Sequence, residues 1–146
     1  MTETDAGDER DILGHVLLPV AHEEDATRTA LALEPYEPDH VTTLHVVEKA
    51  GGAPDKTPVE QSKEIADQSY AAVRAVFPSA DAETAYARDV VAAIFRVADD
   101  VEATAIAFRS RPGNRLMQFL SGDLSLKLVI GADRPVIALP RVDSDV

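Results

Sequence analysis

The chain has 146 residues, an apolar fraction of 45%, and a net charge of −12 from 26 acids against 14 bases. That length and apolar content suit one globular domain with a sizeable core, and the absence of cysteine excludes disulfides, thiolate catalysis and Cys-based zinc sites. Only four of the bases are lysines (Lys49, Lys56, Lys63, Lys127), which argues against a nucleic-acid or anionic-membrane surface, since phosphate affinity comes mainly from clustered Lys and Arg.

The first stretch, "MTETDAGDERD", is polar and acidic and does not read as a signal peptide. Residues 1–11 and 142–146 are expected to be flexible acidic tails around a single domain over 12–141. "HVLLPV" (15–20) is a short run of branched apolar residues and predicts a buried strand. "EEDATRTALALE" (23–34) opens with acids, which suit the positive end of a helix dipole, and continues with helix formers. "PYEPD" is expected to stop that helix. "HVTTLHVVE" (40–48) is β-branched and strand-like, and "KAGGAPDK" (49–56) reads as a loop. "PVEQSKEIADQSYAAVRAVF" (58–77) places Val59, Ile65, Tyr70, Val73 and Phe77 near helical spacing, with proline at its start. "AETAYA" (82–87) is a weaker strand, and "DVVAAIFRVADDV" (89–101) a helix with Asp89 as N-cap. "ATAIAF" (103–108) predicts a buried strand. "GDLSLKLVI" (122–130) predicts a helix with Gly131 as C-cap, and "PVIALP" (135–140) the last strand.

Five strands alternating with helices imply a doubly wound α/β domain: a five-stranded parallel sheet with right-handed crossovers and helices on both faces. Ligands in such folds bind beyond the carboxyl ends of the strands, where strand order reverses. For order 3-2-1-4-5 that crevice lies between the first and fourth strands, with Pro19–His22 and Phe108–Asn114 as its lips. The apolar runs, such as "VVAAIF", are too short to span a bilayer, so a cytoplasmic location is expected. The acid-rich, lysine-poor composition fits a salt-adapted cytoplasm, where ions screen self-repulsion. An ordinary acidic domain kept soluble by its charge is the plainer reading.

"HVLLPV", "VTTLHVVE", "ARDVVAAI" and "ATAIAFRSRPGNRLMQFLSGDLSLKLVIGADRPVIALP", in that order and spacing, resemble the universal stress protein family over residues 14–141. The resemblance implies a nucleotide loop of the form Gly-x2-Gly-x9-Gly-Ser/Thr between the fourth strand and the last helix. Aligned on Gly122, the two earlier glycines fall on Arg109 and Pro112, and the Ser/Thr on Asp123. The aspartate that the family usually carries after the first strand corresponds to Ala21. His45 and Val46 match the family's "His-Val" of the second strand, whose valine backbone lies near adenine in the binders, though strand packing predicts the same pair.

These departures have physical consequences. Loop glycines let backbone approach an anion and adopt positive φ. Arg109 adds bulk there, Pro112 has no N–H to donate, and Asp123 puts a negative charge where a hydroxyl would meet phosphate. Like unit charges about 4 Å apart repel by about 1 kcal/mol in water and about 4 kcal/mol at an effective dielectric of 20. Micromolar binding is worth only about 8 kcal/mol. ATP is therefore disfavoured as a cofactor, and no cofactor is expected. The crevice positions Val20, Ala21, Val46, Arg109, Arg111, Gly113, Gly122 and Asp123 remain the candidate ligand site. Arg109, Arg111 and Arg115 have two readings: as forks for a small anion, or as partners of nearby acids, which is favoured. Asp123 also has a structural role open to it, as N-cap of the last helix.

"HEED" (22–25) has the residue types of a metal site, but reads better as a solvated helix start with acids at the dipole's positive end. His45 reads as a packed strand residue. No Gly-x-Ser-x-Gly elbow is present, and no strand-end acidic pocket of a phospho-receiver. The expected function is a non-catalytic stress-response or regulatory domain that does not bind ATP, with nucleotide or small-anion binding through 109–123 as the alternative. The family resemblance implies a homodimer through the last strand, 134–141.

Overall fold

The computed structural model describes residues 11–48, 59–109 and 122–140. In chain order they form β1 (Val16–Val20), α1 (Glu23–Leu33), a 3-10 turn (Glu34–Tyr36), β2 (Val41–Glu48), α2 (Val59–Arg74), β3 (Asp81–Ala87), α3 (Val90–Asp100), β4 (Ala105–Phe108), α4 (Gly122–Gly131) and β5 (Val136–Ala138). The expected 49–56 loop and the two tails, Asp11 apart, lie outside the described residues. Among the described residues, no helix is long and apolar enough to cross a membrane.

The sheet is parallel throughout, as the alternation of elements required, and its strand order is the expected β3-β2-β1-β4-β5. β1 pairs with β2 from Val16↔Val41 to Val20↔His45 and with β4 through Val16↔Ala105 and Leu17↔Ile106. Its two neighbours therefore diverge in chain order at β1, which sets the switch point between β1 and β4.

Side chains alternate across the pleat, so the buried strands feed two cores. Leu17, Leu44, Val46, Ile106 and Phe108 face α3 and α4, where they meet Val90, Ile94, Val97 and Leu128. Val16, Leu18, Val20 and Ala107 face the opposite way, against Ala26, Ala30 and Leu33 of α1 and Val73 of α2. Burial on both faces explains why β1 and β4 read as unbroken apolar runs rather than alternating ones.

"PYEPD" stops the first α-helix as expected, at Leu33, and the chain leaves it through the 3-10 turn: Pro35 fits the first turn of that segment, where no N–H is needed, and Glu37 closes it at φ 55°. Two other boundary expectations change. The second helix ends at Arg74, three residues short of Phe77, which still packs on the core. Gly131 is the last helical residue rather than a cap beyond it. A Cβ there would stand 3.2 Å from Phe95 Cε2, so glycine answers a close approach between α3 and α4. Asp89 is the N-cap of α3 as expected, accepting from the Ala92 N–H at 3.1 Å.

Candidate functional site

The crevice at the carboxyl ends of β1 and β4 is built from the β1–α1 turn and the residue that follows β4. Val20 closes β1 fully buried, and its carbonyl oxygen accepts from His45 Nδ1 at 3.4 Å. His45 lies on β2 directly opposite in register. Burial pushes its pKa below the ordinary imidazole value, with nearby His22 acting the same way and the Val20 hydrogen bond opposing. The neutral ring thus ties two strand ends together, in the packing role expected of it. Val46 is buried beside it in the core under α3 and α4, paired with Ala85.

Ala21 begins the turn, and its N–H donates to Asp25 Oδ2 at 2.8 Å. His22 is the N-cap of α1, accepting from the Asp25 N–H at Nδ1 over 3.3 Å. Asp25 is 1% exposed. Its Oδ1 meets the Thr29 hydroxyl one turn later at 3.4 Å and Arg109 NH2 at 3.6 Å. Arg109 follows β4 directly and is itself buried, at 7% exposure. An acid from the first helix and a base from the end of the fourth strand therefore form an ion pair, both side chains out of water, where strand order reverses. At about 4 Å and an effective dielectric near 20, such a pair attracts by about 4 kcal/mol before the cost of desolvating both charges.

Of the candidate positions, the structure brings Val20, Ala21 and Arg109 together at this crevice, with Val46 on the neighbouring strand. Arg111 and Gly113, with Arg115 and Pro112, lie outside the described residues. Gly122 and Asp123 are the first two residues of α4. Asp123 is therefore inside the helix and not its N-cap, because the helix already includes Gly122. Asp25 escaped sequence reading, which took "HEED" as solvated. The available signal was its place in the stripe Asp25, Ala26, Thr29, Ala30, Leu33, which all face the core. Among the described residues, no group of three or more histidine and acidic side chains is arranged to hold a metal ion.

A cavity of about 840 Å³ lies at the opposite, amino-terminal end of the sheet. His15, His40, Glu102, Thr104 and Arg134 contribute to its wall. The cation there is committed to the fold. Arg134 NH1 donates to the carbonyls of Ala98 and Ala103 at 2.9 and 2.7 Å, Nε reaches Asp133 at 3.2 Å, and NH2 pairs with Asp99. The His15 and His40 rings meet edge-on, 4.4 Å between centroids, and each has a partner: Thr42 Oγ1 for His15 and Asp81 for His40. With Arg134 and both histidines answered from within the fold, this cavity is a weaker anion site than the crevice.

No protein-family model matches the chain, and no curated protein does. Solved structures do. A universal stress protein from Archaeoglobus fulgidus in complex with dAMP superposes with a TM-score of 0.59 at 20% identity, covering 86% of this chain and 96% of that one. A protein of the universal stress protein family from Burkholderia pseudomallei gives 0.57 at 18% identity, covering 85% and 95%. A universal stress protein in complex with cAMP gives 0.54 at 13% identity, covering 86% and 97%. Five parallel strands in order 3-2-1-4-5, flanked by helices and matched over nearly the whole length of these proteins, give this chain the universal stress protein fold.

Proposed function

We propose that the chain is a non-catalytic, stress-linked regulatory or interaction domain of the cytoplasm that does not use ATP and acts as a homodimer. The observation that carries this reading is the buried Asp25–Arg109 pair at the switch point. Structural neighbours are found with dAMP and with cAMP. In this chain a carboxylate, with no water to screen it, stands at the crevice where a nucleotide phosphate would have to enter. Arg109 fills space where the family's loop has glycine, and its cation is already engaged by that carboxylate.

The dimer is supported by two surfaces. Among the described residues, β5 is an edge strand of the sheet. On α4, which leads into it, Leu126, Val129 and Ile130 are 56%, 55% and 73% exposed at i, i+3 and i+4 spacing, an apolar stripe on one helix face. Isologous pairing of the edge strand and burial of that stripe are compatible with one two-fold axis.

A second reading, a small-anion binder, draws on the presence of Arg109 in the crevice. Thermal denaturation at high salt with ATP, AMP and a panel of small anions separates the two: an anion shift lost in Arg109→Ala favours the second reading, and ATP tests the first. A micromolar ligand at a thousandfold excess over its Kd stabilises by about 4 kcal/mol, several degrees for a domain this size. The expected result with ATP is no shift. A shift of that size, lost in Gly122→Val, overturns the ATP-free reading.

A further inference from the structure

Three kinds of donor converge on the Asp25 carboxylate: a backbone N–H at a strand end (Ala21, 2.8 Å), a hydroxyl (Thr29, 3.4 Å) and a guanidinium (Arg109, 3.6 Å). Backbone N–H, hydroxyl and arginine fork are also the set that holds a phosphate. They meet where open α/β sheets receive ligands, and Asp25 and Arg109 are 1% and 7% exposed. We propose that Asp25 is an internal stand-in for an anionic ligand, so that the crevice is a self-occupied oxyanion site and this one carboxylate determines what the crevice rejects. The inference rests on the ATP-free reading above and supplies a cause for it that lies outside the glycine pattern of the loop.

Asp25 reaches the site because it lies in the first turn of α1, anchored by the His22 cap and by the Ala21 N–H. An incoming oxyanion meets a fixed negative charge and must also displace it from the arginine. With the charge removed and the shape kept, the Arg109 guanidinium loses this counter-charge and a phosphate oxyanion from outside no longer meets a fixed negative charge. Asp25→Asn does this and leaves an amide oxygen to accept from Ala21.

The test is titration of the full chain with pyrophosphate at constant ionic strength, by calorimetry and by thermal shift. One unit charge at about 4 Å in a medium of effective dielectric 20 corresponds to far more than tenfold in affinity, so Asp25→Asn is expected to bind pyrophosphate at least about tenfold more tightly than the parent. The gain should vanish in Asp25→Asn/Arg109→Met and be absent in Asp25→Glu, which keeps the charge while disturbing the fit. Asp25→Ser, neutral and still an acceptor, makes the same prediction if the asparagine variant does not fold. A folded Asn or Ser variant that binds no more tightly than the parent overturns the proposal. So does a gain that survives loss of Arg109, or one that Asp25→Glu reproduces, since either marks loosening rather than charge. ATP binding by the unaltered chain would defeat the ATP-free reading on its own, whereas the response of the variants decides the role of Asp25.

Discussion

The Asp25–Arg109 pair makes a quantitative prediction about stability. Arg109→Met removes the cation from a carboxylate whose side chain is 2% exposed. Breaking a buried pair from one side costs about 3–5 kcal/mol, most of it the penalty of the charge left behind. Asp25 keeps the Ala21 N–H and the Thr29 hydroxyl, which places this variant near the lower end, about 3 kcal/mol. Asp25→Asn removes the other charge of the buried pair, at similar cost. The double variant Asp25→Asn/Arg109→Met leaves no charge in a well-packed site and is expected within about 1 kcal/mol of the parent, because a buried pair replaced by neutral groups of like volume is often close to neutral. Urea denaturation at fixed high KCl, with equal m-values as the check on two-state behaviour, measures all four proteins. The coupling energy should exceed about 2 kcal/mol; additivity to within about 0.5 kcal/mol would show that the two charges do not depend on one another.

Three further outcomes follow from individual residues. α3 ends in a Schellman arrangement, with Ala103 N–H to Ala98 O at 2.9 Å and Glu102 N–H to Asp99 O at 3.1 Å, but the left-handed position at φ 58° holds Glu102 instead of glycine. Glu102→Gly relieves about 1–2 kcal/mol of left-handed strain and returns about 0.5–1 kcal/mol as chain entropy. A net gain of about 0.5–1 kcal/mol is expected in a urea melt and should not be matched by Glu102→Gln, which changes only the charge. The pKa values of His15 and His45 are both lowered, chiefly by burial, so between those values and about 6.5 the unfolded chain binds more protons than the folded one. Stability from these rings is complete above about pH 6.5 and falls as the pH drops below it; His45→Asn should flatten that slope in melts taken between about pH 5 and 7, and an unchanged slope would count against His45. Ile130→Glu changes a side chain 73% exposed, so monomer stability should hold within about 0.5 kcal/mol while sedimentation shifts from dimer to monomer; a dimer that survives the charge places the interface elsewhere.

Much of the fold was legible because local pattern and global topology agree. The unbroken apolar runs at 16–20 and 105–108 required strands covered on both faces, and the helical stretches between them required parallel crossovers. Asp89 was recognisable as a cap because capping is settled within four residues. Gly131 was misplaced by one residue and Asp123 by two; at Gly131 the helix end is set by what packs against it, Phe95.

The amino-acid sequence by itself determined the α/β architecture, the position of the crevice and the loss of the glycine pattern around Arg109, because each of these follows from spacing along the chain. Only the tertiary structure decided what Arg109 meets. Asp25 and Arg109 are 84 positions apart (109 − 25), with two strands and two α-helices between α1 and β4, the elements that carry them. Nothing in the spacing of charges along a sequence tells a solvated acid at a helix start from one that turns inward. Burial against the sheet makes that choice, since a carboxylate is held out of water only where donors and an opposite charge converge on it.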